Sequence, residues 1–196
     1  MNFSASYPHV VKIMIASTAV AVFCFCAYSW TAYDNGVVDY QDNRDKQAVK
    51  KMFHDDWQFL YYGDWDKITE NDFDVDFMLD NRSSSQYSVN SNLVLKVLRE
   101  SGKTVGFLAY YPKSPFWWQM LFLIVDKDHR GKNYASKLVQ FFIDDSVARG
   151  AIKLTTFTRL INTPARRVYE GKFGFKDICH HDDKYMDLVL YPKKRS

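Results

Sequence analysis

The run Phe116-Trp117-Trp118-Gln119-Met120-Leu121-Phe122-Leu123-Ile124-Val125 carries no charge and one polar side chain. A strand with one wet face alternates polar and apolar residues, whereas a strand covered on both faces does not. The run therefore predicts a buried strand, and a buried strand demands a layer on each side. The next segment supplies one. A charged loop, 126–132, leads to Ala135, Leu138, Val139, Phe142, Ile143 and Val147, which mark one face of a helix that Gly150 is placed to end.

The flanking sequence extends the pattern. Val37 to Tyr40 reads as a short strand, and 45–62 as a helix with apolar residues at Val49, Met52, Phe53, Trp57 and Leu60. A second, Asp-rich helix is expected near Glu70–Leu79. Leu93–Leu98 and Thr104–Tyr111 read as strands about a turn at Glu100–Lys103, with Pro112 and Pro115 bracketing a loop. Ile152–Leu160 is a further strand. Asn162-Thr163-Pro164 opens a helix to about Lys172, with Thr163 near the N-cap and Pro164 in first position. Phe175–His180 and Tyr185–Tyr191 form a closing hairpin. Hairpins mixed with two crossover helices predict a mixed α+β fold: a mixed central sheet with helices on both faces.

A second feature divides the chain. Ile13 to Tyr33 is 21 residues without a charge, about 31 Å as a helix, which matches the ~30 Å hydrocarbon core of a bilayer. Tyr28, Trp30 and Tyr33 suit a membrane–water interface. A cleavable leader normally has a shorter apolar core and a more basic start. Residues 1–33 are accordingly read as a membrane helix or uncleaved signal anchor, and 34–196 as one domain. Lys12 precedes the run, while Arg44, Lys46, Lys50 and Lys51 follow it. That count favours a single-pass protein with the domain on the cytoplasmic side.

The net charge of +3 calls for no nucleic-acid partner. Three cysteines, Cys24, Cys26 and Cys179, give no disulfide framework. Cys179-His180-His181-Asp182-Asp183 has metal-ligating side chains, but consecutive strand residues point to opposite faces, so no metal is expected. Neither H-E-x-x-H nor G-x-S-x-G occurs. The strongest chemical signal is Val125 to Ala135. There a buried strand feeds a basic loop that opens a helix, whose free first-turn N–H groups, with Arg130 and Lys132, make an anion site. It fits a phosphate or pyrophosphate, although the loop is neither a Walker A nor a G-x-G-x-x-G sequence.

Arg130-Gly131-Lys132-Asn133-Tyr134-Ala135 resembles motif A, [QR]-x-x-G-x-[GA], of the GNAT superfamily of N-acetyltransferases. Asn162, Ala165, Tyr169 and Gly174-Phe175 resemble its N-x-x-A…Y-E-x…G-F signature, and the order of elements agrees from about Val37 to Tyr191. There are two departures. Asn133 stands for the usual central glycine, and Tyr169 to Gly174 is one residue longer than the commonest spacing. The resemblance implies a three-layer GNAT fold and acetyl-CoA as acyl donor. It also implies that strands four and five splay around the pantetheine arm, which pairs with backbone near Leu123 and Val125. The pyrophosphate would rest on residues 130–135: Arg130, Gly131, Lys132, Asn133, Tyr134 and Ala135. Asn162 would belong to the cofactor site. Tyr169 would protonate the departing thiolate after a primary amine attacks. The family often places a glutamate on the fourth strand as base; here Gln119 is its only polar residue, and no base is identified. That absence, with Asn133, motivates an alternative: a non-catalytic CoA-binding or protein-interaction domain at a membrane.

Overall fold

The computed structural model describes residues 35–60, 74–80 and 93–193. The run at 13–33 and the first residues of the helix expected near Glu70–Leu79 lie outside them. Among the described residues no helix is long and apolar enough to cross a membrane.

Seven strands form one sheet. They are β1 (Gly36–Asp39), β2 (Val94–Glu100), β3 (Lys103–Ser114), β4 (Trp117–Val125), β5 (Lys153–Arg159), β6 (Lys176–His181) and β7 (Tyr185–Leu190), in spatial order β1-β2-β3-β4-β5-β7-β6. Among these described strands only β4 and β5 pair in parallel. The helices are α1 (Asp42–Leu60), α2 (Val75–Asp80), α3 (Tyr134–Ala148) and α4, which begins at Thr163–Arg166 and continues as a π-helical turn over Arg167–Lys172. The predicted layers are all present.

Two cores sit on the two faces. Val49, Met52 and Phe53 of α1 and Met78 and Leu79 of α2 pack on Val97, Phe107, Phe122 and Ile124. Leu138, Val139 and Phe142 of α3 and Tyr169 of α4 pack on Leu108, Tyr110, Met120, Leu154 and Leu188. The α1 layer is also pinned by charge. Asp45 is fully buried, accepts hydrogen bonds from Arg99 (2.6 Å) and Thr104 (2.6 Å), and closes the helix start by accepting from the Gln41 N–H at 2.8 Å. Gly150 ends α3 as expected. At φ +95° its N–H donates to Val147 while that of Ala151 reaches Ser146, which satisfies two of the helix's last carbonyls.

Two local expectations are corrected and one departure is accounted for. Pro112 lies in β3 rather than a loop, paired with Trp118. Among the described residues β3 has a neighbour on one side only beyond Tyr110, opposite Val94, so the proline falls on a stretch of strand paired along one edge. Asn162, not Thr163, caps α4, its side chain accepting from the Ala165 N–H at 3.4 Å. The extra residue between Tyr169 and Gly174 is absorbed by the π turn, which accommodates one more residue than an α turn.

Candidate active site

β4 and β5 pair at only three positions, Trp117–Lys153, Trp118–Leu154 and Gln119–Thr155, and then part. The cause lies on the other edge of β4. Ala109 of β3 opposes Phe122 and Tyr110 opposes Met120, which leaves Leu121 as an extra residue. Such a bulge bends the strand and increases its twist. It falls two residues past the last pair, where β4 leaves β5. Trp117 holds the closed end, its indole N–H donating to Thr155 Oγ1 at 2.8 Å.

The opening is a cavity of about 580 Å³. Residues 121–125 of β4 form one wall and Thr156–Thr158 of β5 the other. Arg130, Gly131, Asn133, Tyr134 and Ala135 rim one end, and Asn162, Val168 and Tyr169 line the α4 side. The sequence-predicted residues therefore come together, with one exception. Lys132 is not in the lining; its Nζ lies 3.6 Å from Glu100. Tyr134, buried, is hydrogen-bonded to the same carboxylate, and that bond foremost holds Glu100 below the usual carboxylate range.

The loop backbone is shaped for an anion. Gly131 has φ +81° and Asn133 φ +66°, in the left-handed region. Asn133 takes this conformation at less cost than most side-chain-bearing residues. Among the described residues, the N–H groups of Gly131, Lys132 and Asn133 donate to no protein group, and the first-turn amides of α3 have no carbonyl one turn earlier to bond. Free N–H groups beside an open strand edge fit a pyrophosphate carrying an amide-bearing arm.

Two contacts at this rim have no sequence signature. Arg130, whose Nε donates to the Val125 carbonyl at 3.1 Å, is hydrogen-bonded through its guanidinium to Asp56 of α1, itself part of the lining. Lys172 of the π turn donates to Asn133 Oδ1 at 2.6 Å. Both join residues far apart in sequence. On the far wall, burial pushes the Tyr169 hydroxyl well above the usual tyrosine range, opposed by its hydrogen bond to Thr156.

Trp117, Trp118 and Gln119 are the polar-tipped residues of β4, and no carboxylate projects from it. Cys179, His180 and His181 do not converge. His180 bonds Asp177 at 2.5 Å, while His181 bonds Asp187 at 2.9 Å. Among the described residues no group of side chains is arranged to hold a metal ion.

A family model for the acetyltransferase (GNAT) family matches residues 48–175. No curated protein matches the sequence. Solved structures share the architecture. YncA of Salmonella typhimurium, solved with its cofactor acetyl-CoA, is 14% identical with a TM-score of 0.61, covering 82% of this chain and 95% of its own. The ribosomal-protein-S18-alanine N-acetyltransferase of Escherichia coli is 15% identical with a TM-score of 0.59, over 83% and 96%. An N-acetyltransferase of Staphylococcus aureus Mu50 is 19% identical with a TM-score of 0.59, over 79% and 96%. At such identities the likeness is one of fold.

Proposed function

The chain belongs to the acetyltransferase (GNAT) family, whose chemistry is acetyl transfer from acetyl-CoA, and from that premise we propose an N-acetyltransferase acting on a primary amine of a small molecule or protein. The observation that carries this reading is the parting of β4 from β5 with a cradle of free N–H groups at its mouth. Bound there, acetyl-CoA supplies an activated thioester carbonyl.

The chain's own residues do the rest. The free N–H groups of 131–135 hold the pyrophosphate, with Arg130 and Lys132 adding positive charge. The β5-side backbone of Leu123 and Val125, free of sheet partners, bonds the amides of the pantetheine arm. A backbone N–H of β4 near the bulge stabilises the oxyanion. Asn162 caps α4 and so fixes the helix that carries Tyr169. Tyr169 gives its proton to the leaving sulfur. Burial that desolvates the phenol also desolvates a neighbouring thiolate, so both groups hold their protons to higher pH.

Residues 13–33 would anchor this domain to a membrane with its site on the cytoplasmic side, where acetyl-CoA is available. Alkaline extraction and protease protection of the full chain test that: release by alkali removes the anchor, and protection within sealed inverted vesicles reverses the orientation.

Calorimetric titration of the full chain with acetyl-CoA, repeated with CoA, tests the core of the reading. Roughly micromolar binding, ordinary for such enzymes, is expected; no binding by folded protein would sink it. The non-catalytic alternative rests on the carboxylate-free β4 and on Asp56 engaging Arg130. It predicts binding of CoA without acetyl transfer to any amine and no response to Tyr169→Phe.

A further inference from the structure

The opening between β4 and β5 has two faces, and Tyr169 stands on one of them. Tyr169 is hydrogen-bonded to Thr156 of β5, and Leu154 belongs to the core beneath α3 and α4. Alternation along β5 therefore turns Phe157 to the other face, the one that carries α1 and α2. Phe122 of β4 packs in the α1 core, and Phe59 and Leu60 of α1 line the same cavity. On that face the opening is an apolar trough, and Asp56 is the one carboxylate among the described residues that line it.

The Asp56 side chain is 14% exposed, and among the described residues its ion-pair partner is Arg130. Asp55, beside it, has Lys51 at 2.5 Å and Lys127 at 3.4 Å. Lys132 is taken by Glu100. Among the described residues, the cations left at the rim are Arg130 and Lys172, against Asp56 and the two negative charges of a bound pyrophosphate. The formal sum is one negative charge in excess, whether the guanidinium stays on Asp56 or turns to the phosphate. A further cation is therefore favoured beside Asp56 once the acyl donor is in place.

We propose that the acceptor is an α,ω-diamine, with Asp56 receiving the ammonium at one end while the amine at the other end reaches the thioester. This rests on the acetyltransferase reading. Arg130 joins Asp56 to the Val125 carbonyl through one guanidinium. From Val125 back to the Leu121 bulge is about 13 Å of strand. A charge-assisted hydrogen bond of about 2.8 Å at one end and an attack distance of about 3 Å at the other leave about 7 Å, the reach of about five methylenes. The trough of Phe59, Leu60, Phe122 and Phe157 suits such a chain. The reacting end enters as its neutral amine. Its lone pair forms the C–N bond at the thioester carbonyl, and the C–S bond breaks with its electron pair on sulfur. Tyr169 gives sulfur a proton and recovers one from nitrogen as the amide forms. Diamine monocation and acetyl-CoA become monoacetylated cation and CoA thiol, and the ammonium on Asp56 is unchanged throughout.

The test uses the full chain and thiol release from acetyl-CoA. The probes are α,ω-diaminopropane, α,ω-diaminopentane and α,ω-diaminoheptane, each against the monoamine of the same chain. Diaminopentane should be preferred to pentylamine in kcat/KM by at least about 10-fold, as for one hydrogen bond between charged groups, and diaminopropane, too short to bridge, should gain less over propylamine. Asp56→Asn should abolish the preference. Asp55→Asn, whose carboxylate lies outside the lining, should keep it. Equal use of diamine and monoamine by the parent overturns the proposal and keeps the acetyltransferase reading, as does a preference that survives in Asp56→Asn. Thiol release with none of the amines, in protein that binds acetyl-CoA, overturns the proposal too and favours the non-catalytic alternative. Folded protein that binds no acetyl-CoA overturns both readings.

Discussion

Asp56 is a carboxylate in the lining of a cavity whose mouth is built for an anion, and it occupies the guanidinium of Arg130. Asp56→Asn removes one charge and almost no volume. Stability and affinity then move in opposite directions. Arg130 is half exposed, and ending an ion pair of that kind costs about 0.2–1 kcal/mol of stability. Relief of repulsion against the bound anion outweighs that cost. A carboxylate and a phosphate charge about 6 Å apart repel by about 0.7–2.8 kcal/mol for effective dielectric constants of 80 to 20. Asp56→Asn is therefore expected to tighten acetyl-CoA binding by about 3- to 100-fold, a range set by that dielectric. Calorimetric titration of the full-length parent and variant measures it. The gap should shrink as ionic strength rises, because the Debye length falls from about 10 Å at 0.1 M to about 3 Å at 1 M. Equal affinities at low salt would refute the electrostatic argument. Weaker binding by the variant would show instead that Asp56 positions Arg130 for its anion.

Three further outcomes are expected. Asn133→Gly removes a side chain from a left-handed position (φ +66°) and releases Lys172; acetyl-CoA should bind several-fold tighter by titration, and no change would leave the loop backbone indifferent to that side chain. Tyr169→Phe should lower kcat about 10²-fold or more with an unchanged Kd for acetyl-CoA. Because burial raises the Tyr169 hydroxyl above its ordinary range, the acid stays protonated, and the parent should show no loss of rate from its ionisation until above about pH 10; an alkaline limb at lower pH that vanishes in Tyr169→Phe would contradict this. Asp45→Ala leaves Arg99 buried beside a lost carboxylate, at a cost of about 3–5 kcal/mol, so urea unfolding should move to a clearly lower midpoint, and a shift under about 1 kcal/mol would count against the buried pair as the pin of α1.

The central strand, the loop and α3 were legible because each obeys a period or a cap. Residues 116–125 are almost wholly apolar, α3 repeats at helical spacing, and Gly150 sits where a left-handed stop is needed. The parting of β4 from β5 was implied by the family resemblance, but its cause was not visible. Within Met120–Val125 every residue is apolar, so an extra residue at Leu121 changes no pattern of hydropathy. Pro112 misled for a related reason. Proline forbids one ladder bond, and whether that bond would exist depends on where β2 ends. The cap of α4 went to the neighbour of the true one, since Asn162 and Thr163 both have capping side chains and only geometry selects. Asp56 and Lys172 lie 74 and 39 residues from their partners, a distance at which neither spacing nor composition carries information.

The three pairs between β4 and β5 have a mechanical meaning. One half, β1 to β4, has its own helices α1 and α2; the other, β5 to β7, is a three-stranded plate joined to the first by a short weld. Hydrogen exchange should find the amides of 153–155, at this seam, opening at lower free energy than those of 96–99 in β2 or 106–109 in β3, where both edges are paired over longer runs. A ligand arm lying along the open edge of β4 would lengthen that weld from within, as a strand inserted where the chain left room for one. The acyl donor would then act as a structural member of the sheet, and its departure as free CoA would return the seam to its weakest state once in every catalytic cycle.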